Sequence, residues 1–265
     1  MGYFQANIVE EKITICLGRG MFSFCSVILD NIIYYHKLYK KLPKKIDSSK
    51  SWSDYKDIEH ECIDIRDHFF LESNQPFTYI GVSNFNFNHQ YLPYKTFDFD
   101  SYNPFVKHYF NPSDTVREKI DELENKYDID YEKTICIYYR GTDKSAETKI
   151  ASQIEFLEKL TEIIDTYPNF NIVCLTDVSH FGHEVTELYG NKVTIISEIS
   201  QSMGKWGKDD KKGRNYIHGL YMLACVFMLQ KCHTIICGSG NVSLWLALLR
   251  GHGNNIHQNL HLKWV

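Results

Sequence analysis

Apolar and polar positions change period repeatedly along this chain, and the change is clearest after residue 112. Residues 12–18, KITICLG, alternate like a strand; the turn Gly18-Arg19-Gly20 follows, then an apolar stretch of helical length from Met21 to about Tyr39. Pro43 and the run KKIDSS read as a return into a second strand. The opening therefore reads as the start of a Rossmann-like α/β unit, although it lacks the full G-x-G-x-x-G fingerprint of a dinucleotide site. Between residues 48 and 112 aromatic and polar residues alternate irregularly, as in QPFTYIGVSNFNFNHQYLPYKTFDFDSYNPF. That stretch predicts short strands and long loops, its rings serving either as packing or as platforms for a sugar face.

From Pro112 onward the periods become regular. Ser113 or Asp114 can cap the helix TVREKIDELENKY, whose Val116, Ile120 and Leu123 share one face. The strand TICIYY (134–139), the loop RGTDKSAETK, a helix over about 152–167 and the strand NIVCLTD ending at Asp177 follow. A helix near 180–189, the strand KVTIIS, a polar stretch SQSMGKWGKDDKKGRN and a long apolar helix over about 217–230 continue the alternation. The strand HTIICG and a helix from about Asn241 complete it. Strands alternating with helices predict a parallel sheet, so the fold class read here is α/β, two Rossmann-like units facing a cleft.

Composition narrows the function classes. With 265 residues, 43% hydrophobic and 23% charged, the chain is globular, and its formal charge of -4 gives no overall basic field for nucleic acid. No apolar run reaches the ~18 residues of a membrane span, and no basic region followed by an apolar core opens the sequence. The eight cysteines are scattered singly with no C-x-x-C pair, which fits free thiols and a cytoplasmic protein. His233, His252, His257 and His261 match no metal-ligand spacing, so neither metal nor cofactor is expected.

In an open parallel sheet, ligands bind beyond the carboxyl ends of the strands. The loop after Tyr139 carries Arg140-Gly141-Thr142-Asp143-Lys144: a guanidinium fork, a glycine that admits close backbone approach, and a hydroxyl. That set suits a diphosphate, though Arg140 and Asp143 are equally readable as a surface ion pair. The loop after Cys237, Gly238-Ser239-Gly240-Asn241-Val242-Ser243, runs straight into an apolar helix. Free amides and hydroxyls at a helix N-terminus attract an anion, while Ser239 or Asn241 would also serve as an ordinary cap.

The segment IYYRGTDK resembles the strand and loop V-H-V-R-R-T-D-K of the α1,6-fucosyltransferases. FLEKL…YPNFNIVCLTDVSHFGHEV is similar to that family's next helix and its strand ending in T-D, and HGLYMLACVFMLQKCHTIICGSGNVSLW to its long helix, strand and serine-rich loop. The likeness covers about residues 112–265, and the wider group includes nodulation-type and protein O-fucosyltransferases. It implies a GT-B arrangement, residues 1–111 forming an acceptor-side domain and 112–265 a donor-binding domain. It also implies inverting transfer of fucose from GDP-fucose to a glycan acceptor without a metal. Arg140 then grips the β-phosphate and stabilises the departing GDP. Tyr138 stands where the family has a histidine near the nucleotide, and Ser239, Gly240, Asn241 and Ser243 lie in the phosphate loop.

Gly141 replaces the family's second arginine, and Cys225 replaces an acid on the long helix. The donor-site set is Tyr138, Arg140, Gly141, Thr142, Asp143, Lys144, Asp177, His218, Ser239, Gly240, Asn241 and Ser243, with Arg140 catalytic. A general base is sought among Asp30, His36, Asp47, Asp177 and His218. The glycine-flanked cations Lys205, Lys208, Lys211, Lys212 and Arg214 read as a loop closing over an anionic donor, or as solvated surface. Other readings are a transferase of another nucleotide sugar, such as UDP-xylose or a rhamnose donor, and a non-catalytic sugar-nucleotide or glycan-binding protein.

Overall fold

The structure is a computed structural model that describes residues 4–17, 20–79, 81, 83–142, 144, 147–199 and 215–265, with side chains from residue 6 onward. Its described residues divide into two compact units. Unit 1 takes those within Met1–His89, Asp98–Ile120 and Asp209–Ala224; unit 2 takes those within Gln90–Phe97, Asp121–Lys208 and Cys225–Val265. The backbone changes unit several times, whereas the sequence reading places a single boundary near residue 112. Asp143, the cationic run 205–214, and Gly18 and Arg19 of the first glycine turn lie outside the described residues.

In unit 1, β1 (Phe4–Val9) and β2 (Lys12–Leu17) form an antiparallel hairpin. β2 alternates as its sequence predicts, burying Ile13, Ile15 and Leu17. Helix α1 (Met21–Tyr39) buries most of its apolar side chains and ends at Lys40, whose φ of 54° turns the chain while its N–H donates to the His36 carbonyl. β3 (Lys45–Asp47) then pairs parallel to β2. Among the described residues the sheet has three strands, in the order β1-β2-β3. A full Rossmann-like first unit is therefore corrected to one strand-helix-strand crossover with an antiparallel hairpin strand on its edge.

Beyond β3 the chain enters short turns, α2 (Arg66–Phe69) and β4 (Phe70–Leu71). The aromatic stretch read as strands and loops instead contains a helix, α3 (Phe99–Tyr109). Its buried Tyr102, Phe105, Val106 and Tyr109 recur at helical spacing, and the Asp98 side chain accepts from the Ser101 N–H at its start. Pro104 inside it disguises the pattern. β5 (Asn111–Pro112) pairs antiparallel with β4, and α4 (Asp114–Tyr127) follows. The cap of α4 is Ser113, whose Oγ accepts from the Val116 N–H at 3.2 Å.

Unit 2 contains the larger sheet. Its strands are β6 (Thr134–Tyr139), β7 (Asn171–Thr176), β8 (Val193–Ile195), β9 (Thr234–Gly238), β10 (Ile256–Leu260) and β11 (Lys263–Trp264), in the order β11-β10-β9-β6-β7-β8. All neighbours are parallel except β10 and β11. The connecting helices are α5 (Gln153–Thr166), α6 (Ser179–Tyr189), α7 (Asn215–Leu229), whose residues up to Ala224 are counted in unit 1, and α8 (Asn241–Arg250). A reciprocal capping box fixes the start of α5: Ser152 Oγ accepts from the Glu155 N–H, and the Glu155 carboxylate from the Ser152 N–H.

One face of this sheet builds a core from Ile135, Ile137 and Tyr139 with Phe156, Leu160, Phe181 and Val185. The central strand β6 is buried at all six positions, as a strand covered on both faces must be. From β6 the chain builds outward through β7 to β8, then returns to the other side of β6 for β9 and β10. The loops leaving β6 and β9 thus diverge at a topological switch point, the place where such sheets bind ligands.

All eight cysteines are free; Cys62 is exposed and Cys16 half-buried, while the other six are buried. Among the described residues no helix is long and apolar enough to cross a membrane.

Asp30, on α1, gives a pH dependence. Burial pushes its carboxyl up to about 6, with Lys37 opposing. Between the ordinary carboxylate range and about pH 6 the native state holds a proton that the unfolded chain has released, so this group makes stability fall as pH rises through that window. Asp30→Asn removes the dependence and stabilises the protein at pH 7.5 by on the order of 1 kcal/mol, allowing for the group's partial solvation. Urea unfolding of both proteins at pH 4.5 and 7.5 measures it.

Candidate functional site

The loop after β6 is held in place from beneath. Tyr139 closes the strand by packing its ring against Phe156 and Phe181 at 4.8 and 4.5 Å between centroids. Tyr138 therefore faces the opposite side of the sheet, and it is 3% exposed. Asp177, just after β7 and itself buried, accepts from the Gly141 N–H through Oδ1 at 2.8 Å and from Thr142 Oγ1 through Oδ2 at 2.5 Å. Both carboxylate oxygens are engaged, which makes Asp177 an anchor of the loop rather than a proton acceptor for a substrate.

Gly141 is required by packing. A Cβ there would lie 2.7 Å from Tyr139 Cε1 and 2.8 Å from Val178 Cγ2. The second arginine of the resembled motif has no room at this position, so the departure seen in sequence is built into the local structure. Arg140 precedes this point and lines the cleft beside it.

Lys144 is buried, 3% exposed, and reaches from the first loop toward the second. Its Nζ donates to Glu147 Oε2 at 2.5 Å and Gln90 Oε1 at 3.2 Å, and lies 5.5 Å from the centre of the Tyr91 ring. A Cβ on Gly240 would stand 3.5 Å from Lys144 Cε, an ordinary packing distance, so the lysine stem runs alongside the second loop.

The second loop joins β9 to α8. Ser239 Oγ donates to the Asn259 carbonyl at 2.9 Å and accepts from Gln258 Nε2 at 3.0 Å. Gly240 occupies the cap position of α8 and supplies no side-chain cap, so the helix presents first-turn amides that no cap side chain covers. Ser243 Oγ is buried with the Cys237 thiol as its one polar neighbour, and Asn259 Nδ2 is buried without a hydrogen-bond partner. Burial pushes that thiol up to about 12, so it stays neutral.

These two loops bound a narrow cleft of about 30 Å³. That volume takes about two water-sized groups, the size of part of a phosphate rather than of a whole nucleotide. Its described lining includes three cations, Arg140, Lys144 and Lys149, of which Lys144 is paired with the carboxylate of Glu147. Cations, first-turn amides and two buried polar side chains are the kinds of group that suit an anion.

Of the expected site residues, Tyr138, Arg140, Lys144, Ser239, Gly240, Asn241 and Ser243 line this cleft. Gly141, Thr142 and Asp177 form the anchored loop beneath it. His218 lies in unit 1, its ring parallel to Tyr55 at 6.5 Å, with burial holding its imidazole below the ordinary range. Of the other base candidates, Asp30, His36 and Asp47 also fall in unit 1, while Asp177 is the loop anchor of unit 2. Asp47 is paired to Lys12 at 2.6 Å, which with Ser49 holds its carboxyl far below the usual range. His36 sits among Phe77, Tyr79 and Phe105, and burial lowers its pKa.

Sequence reasoning misses Asn259, Glu147 and the segment 90–97. Asn259 comes to the cleft because β10 pairs with β9 in a register that sets it opposite Gly238. Tyr94, 1% exposed, donates its hydroxyl to the Gly240 carbonyl at 3.3 Å and its N–H to Gln258 Oε1 at 3.0 Å, bracing the second loop.

No protein-family model matches the chain, and no curated protein matches it. Among solved structures it is similar to NodZ α-1,6-fucosyltransferase co-crystallized with GDP, at 15% identity over 57% of this chain and 46% of that one, with a TM-score of 0.41. The fucosyltransferase NodZ from Bradyrhizobium gives the same values. A mutant of Arabidopsis thaliana FUT1 in complex with GDP matches at 11% identity over 59% of this chain and 35% of that one, with a TM-score of 0.38. The chain spans less than half the length of each, and the functional reading rests on the residues of its own cleft.

Proposed function

We propose that this protein is a glycosyltransferase whose unit 2 binds the diphosphate of a nucleotide-sugar donor, and that the donor is GDP-fucose. The observation that carries the reading is the cleft at the switch point: Arg140 and Lys144 on one loop, the first-turn amides of α8 on the other, and the buried side chains of Ser243 and Asn259 in its lining. The choice of GDP-fucose comes from the motif resemblance of IYYRGTDK and GSGNVSLW.

In the transfer step the bond from the sugar's anomeric carbon to the diphosphate oxygen breaks as a bond to the acceptor hydroxyl forms, with inversion, and the hydroxyl proton leaves to a base or to solvent. Negative charge grows on the departing diphosphate. A guanidinium placed there stabilises the transition state more than the ground state, which is the role assigned to Arg140. The reading requires no metal, because Arg140 and the helix terminus supply the positive field, with Lys144 held beside them by Glu147. The acceptor is a glycan. The sheet of unit 2 would be the donor half of a GT-B arrangement.

Two observations favour a second reading in which the nucleotide differs. Gly141 leaves no space for a second arginine, and Tyr138 stands where the resembled motif has histidine. A thermal-shift panel of GDP, GDP-fucose, GDP-mannose, UDP and UDP-sugars separates the readings. Ligand at 100 times its Kd stabilises the native state by about 2.7 kcal/mol, a rise of several degrees. GDP and GDP-fucose are expected to give that rise; a response to UDP compounds alone moves the donor to another sugar, and no response to any nucleotide refutes the donor site. Donor-dependent release of free nucleotide distinguishes a transferase from a binding protein.

A further inference from the structure

Unit 1 gathers three metal-ligating side chains at one point. The 310 turn Ile58–His60 and the residue before it bring one ligand atom each of Asp57, Glu59 and His60 within 4.8 Å of one another. His60 is 8% exposed, and its Nδ1 is closed to solvent without a hydrogen-bond partner. That nitrogen lies 3.9 Å from Glu59 Oε1, beyond hydrogen-bond length and inside the cluster. A buried ring nitrogen with no partner needs an explanation, and here the ring is not free to turn away. It stacks on Tyr216 at 4.1 Å and meets His68 edge-on at 5.7 Å.

Asp57 has already committed one oxygen. Its Oδ1 accepts from the Asn215 and Tyr216 N–H groups at 3.1 and 3.4 Å, at the start of α7, which leaves Oδ2 as a ligand. We propose that Asp57, Glu59 and His60 bind a divalent transition-metal ion of the zinc type, which ties the 310 turn to the first turn of α7. One imidazole nitrogen and two carboxylate oxygens with a water in the fourth position is a zinc-like donor set, whereas magnesium and calcium prefer oxygen alone. Ligand bonds of about 2.0–2.2 Å require the three atoms to draw together by about 1 Å. Glu59, whose side chain is 79% exposed, is free to make that movement. The ion is structural and takes no part in sugar transfer, so this site stands or falls independently of the donor cleft.

The test is a zinc titration of the EDTA-stripped full chain, followed by calorimetry and native mass spectrometry, with cobalt substitution read by visible absorption. One ion per chain, a raised Tm and a cobalt spectrum free of thiolate charge transfer are expected. Glu59→Gln, at an exposed position that leaves folding intact, and His60→Gln should each weaken binding by about tenfold or more. Cys62→Ser, which removes the exposed thiol two residues on, should leave it unchanged. The proposal is overturned if no ion is retained, if zinc binds equally well to the Glu59 and His60 variants, or if binding disappears with Cys62.

Discussion

Arg140→Ala is expected to lower sugar-transfer turnover by about a hundredfold or more while leaving thermal stability nearly unchanged. The side chain is half-buried at the end of β6, outside the packed interior formed by Tyr139, Phe156 and Phe181. Its removal therefore costs little packing and leaves the fold to its neighbours. What it removes is a fixed positive charge at the cleft, where charge on the leaving diphosphate would grow. Arg140→Lys should recover only part of the rate, because an ammonium offers a point charge where the guanidinium offers a planar fork. Steady-state kinetics on the donor give the split: the loss should fall chiefly on kcat, and a loss confined to KM would assign Arg140 to ground-state binding.

The second large effect is expected at a residue that does not line the cleft. Asp177→Ala removes the acceptor of both the Gly141 N–H and the Thr142 hydroxyl. Two donors lose a charged partner, and a loss of about 2 kcal/mol follows, read as a Tm lowered by about 4–8 °C. The loop carrying Arg140 then loses its anchor, and nucleotide affinity should fall by about tenfold or more. Asp177→Asn keeps one acceptor oxygen but turns an amide toward a donor, so it should be intermediate. If both variants kept wild-type affinity and stability, Asp177 would have no part in positioning the loop.

Much of unit 2 was readable in sequence because its local signals agree with its packing. β6 is a six-residue apolar run bounded by polar segments, and α5 opens on a capping box that fixes its first residue. The two loops that bound the cleft follow directly from the ends of β6 and β9 once a parallel sheet is inferred. Unit 1 was less readable. α3 presents its helical spacing in aromatic residues with a proline inside, and β1 joins the sheet as a hairpin edge that closes off a larger parallel array.

The rest of the cleft depends on contacts that no local pattern carries. Tyr94 braces the second loop through partners 146 and 164 residues away, Gly240 and Gln258. Asn259 is placed by the β9–β10 register alone. Gly141 reads in sequence as a lost arginine, and only the positions of Tyr139 and Val178 show that a larger side chain has no room there.

The most direct test of the donor-site claim is a crystal structure of the protein with GDP. The account predicts the β-phosphate oxygens within hydrogen-bond distance of the Arg140 guanidinium and the first-turn amides of α8, with Asn259 Nδ2 and Ser243 Oγ facing the diphosphate. A nucleotide bound elsewhere with this cleft empty, at a GDP concentration well above its measured Kd, would contradict it.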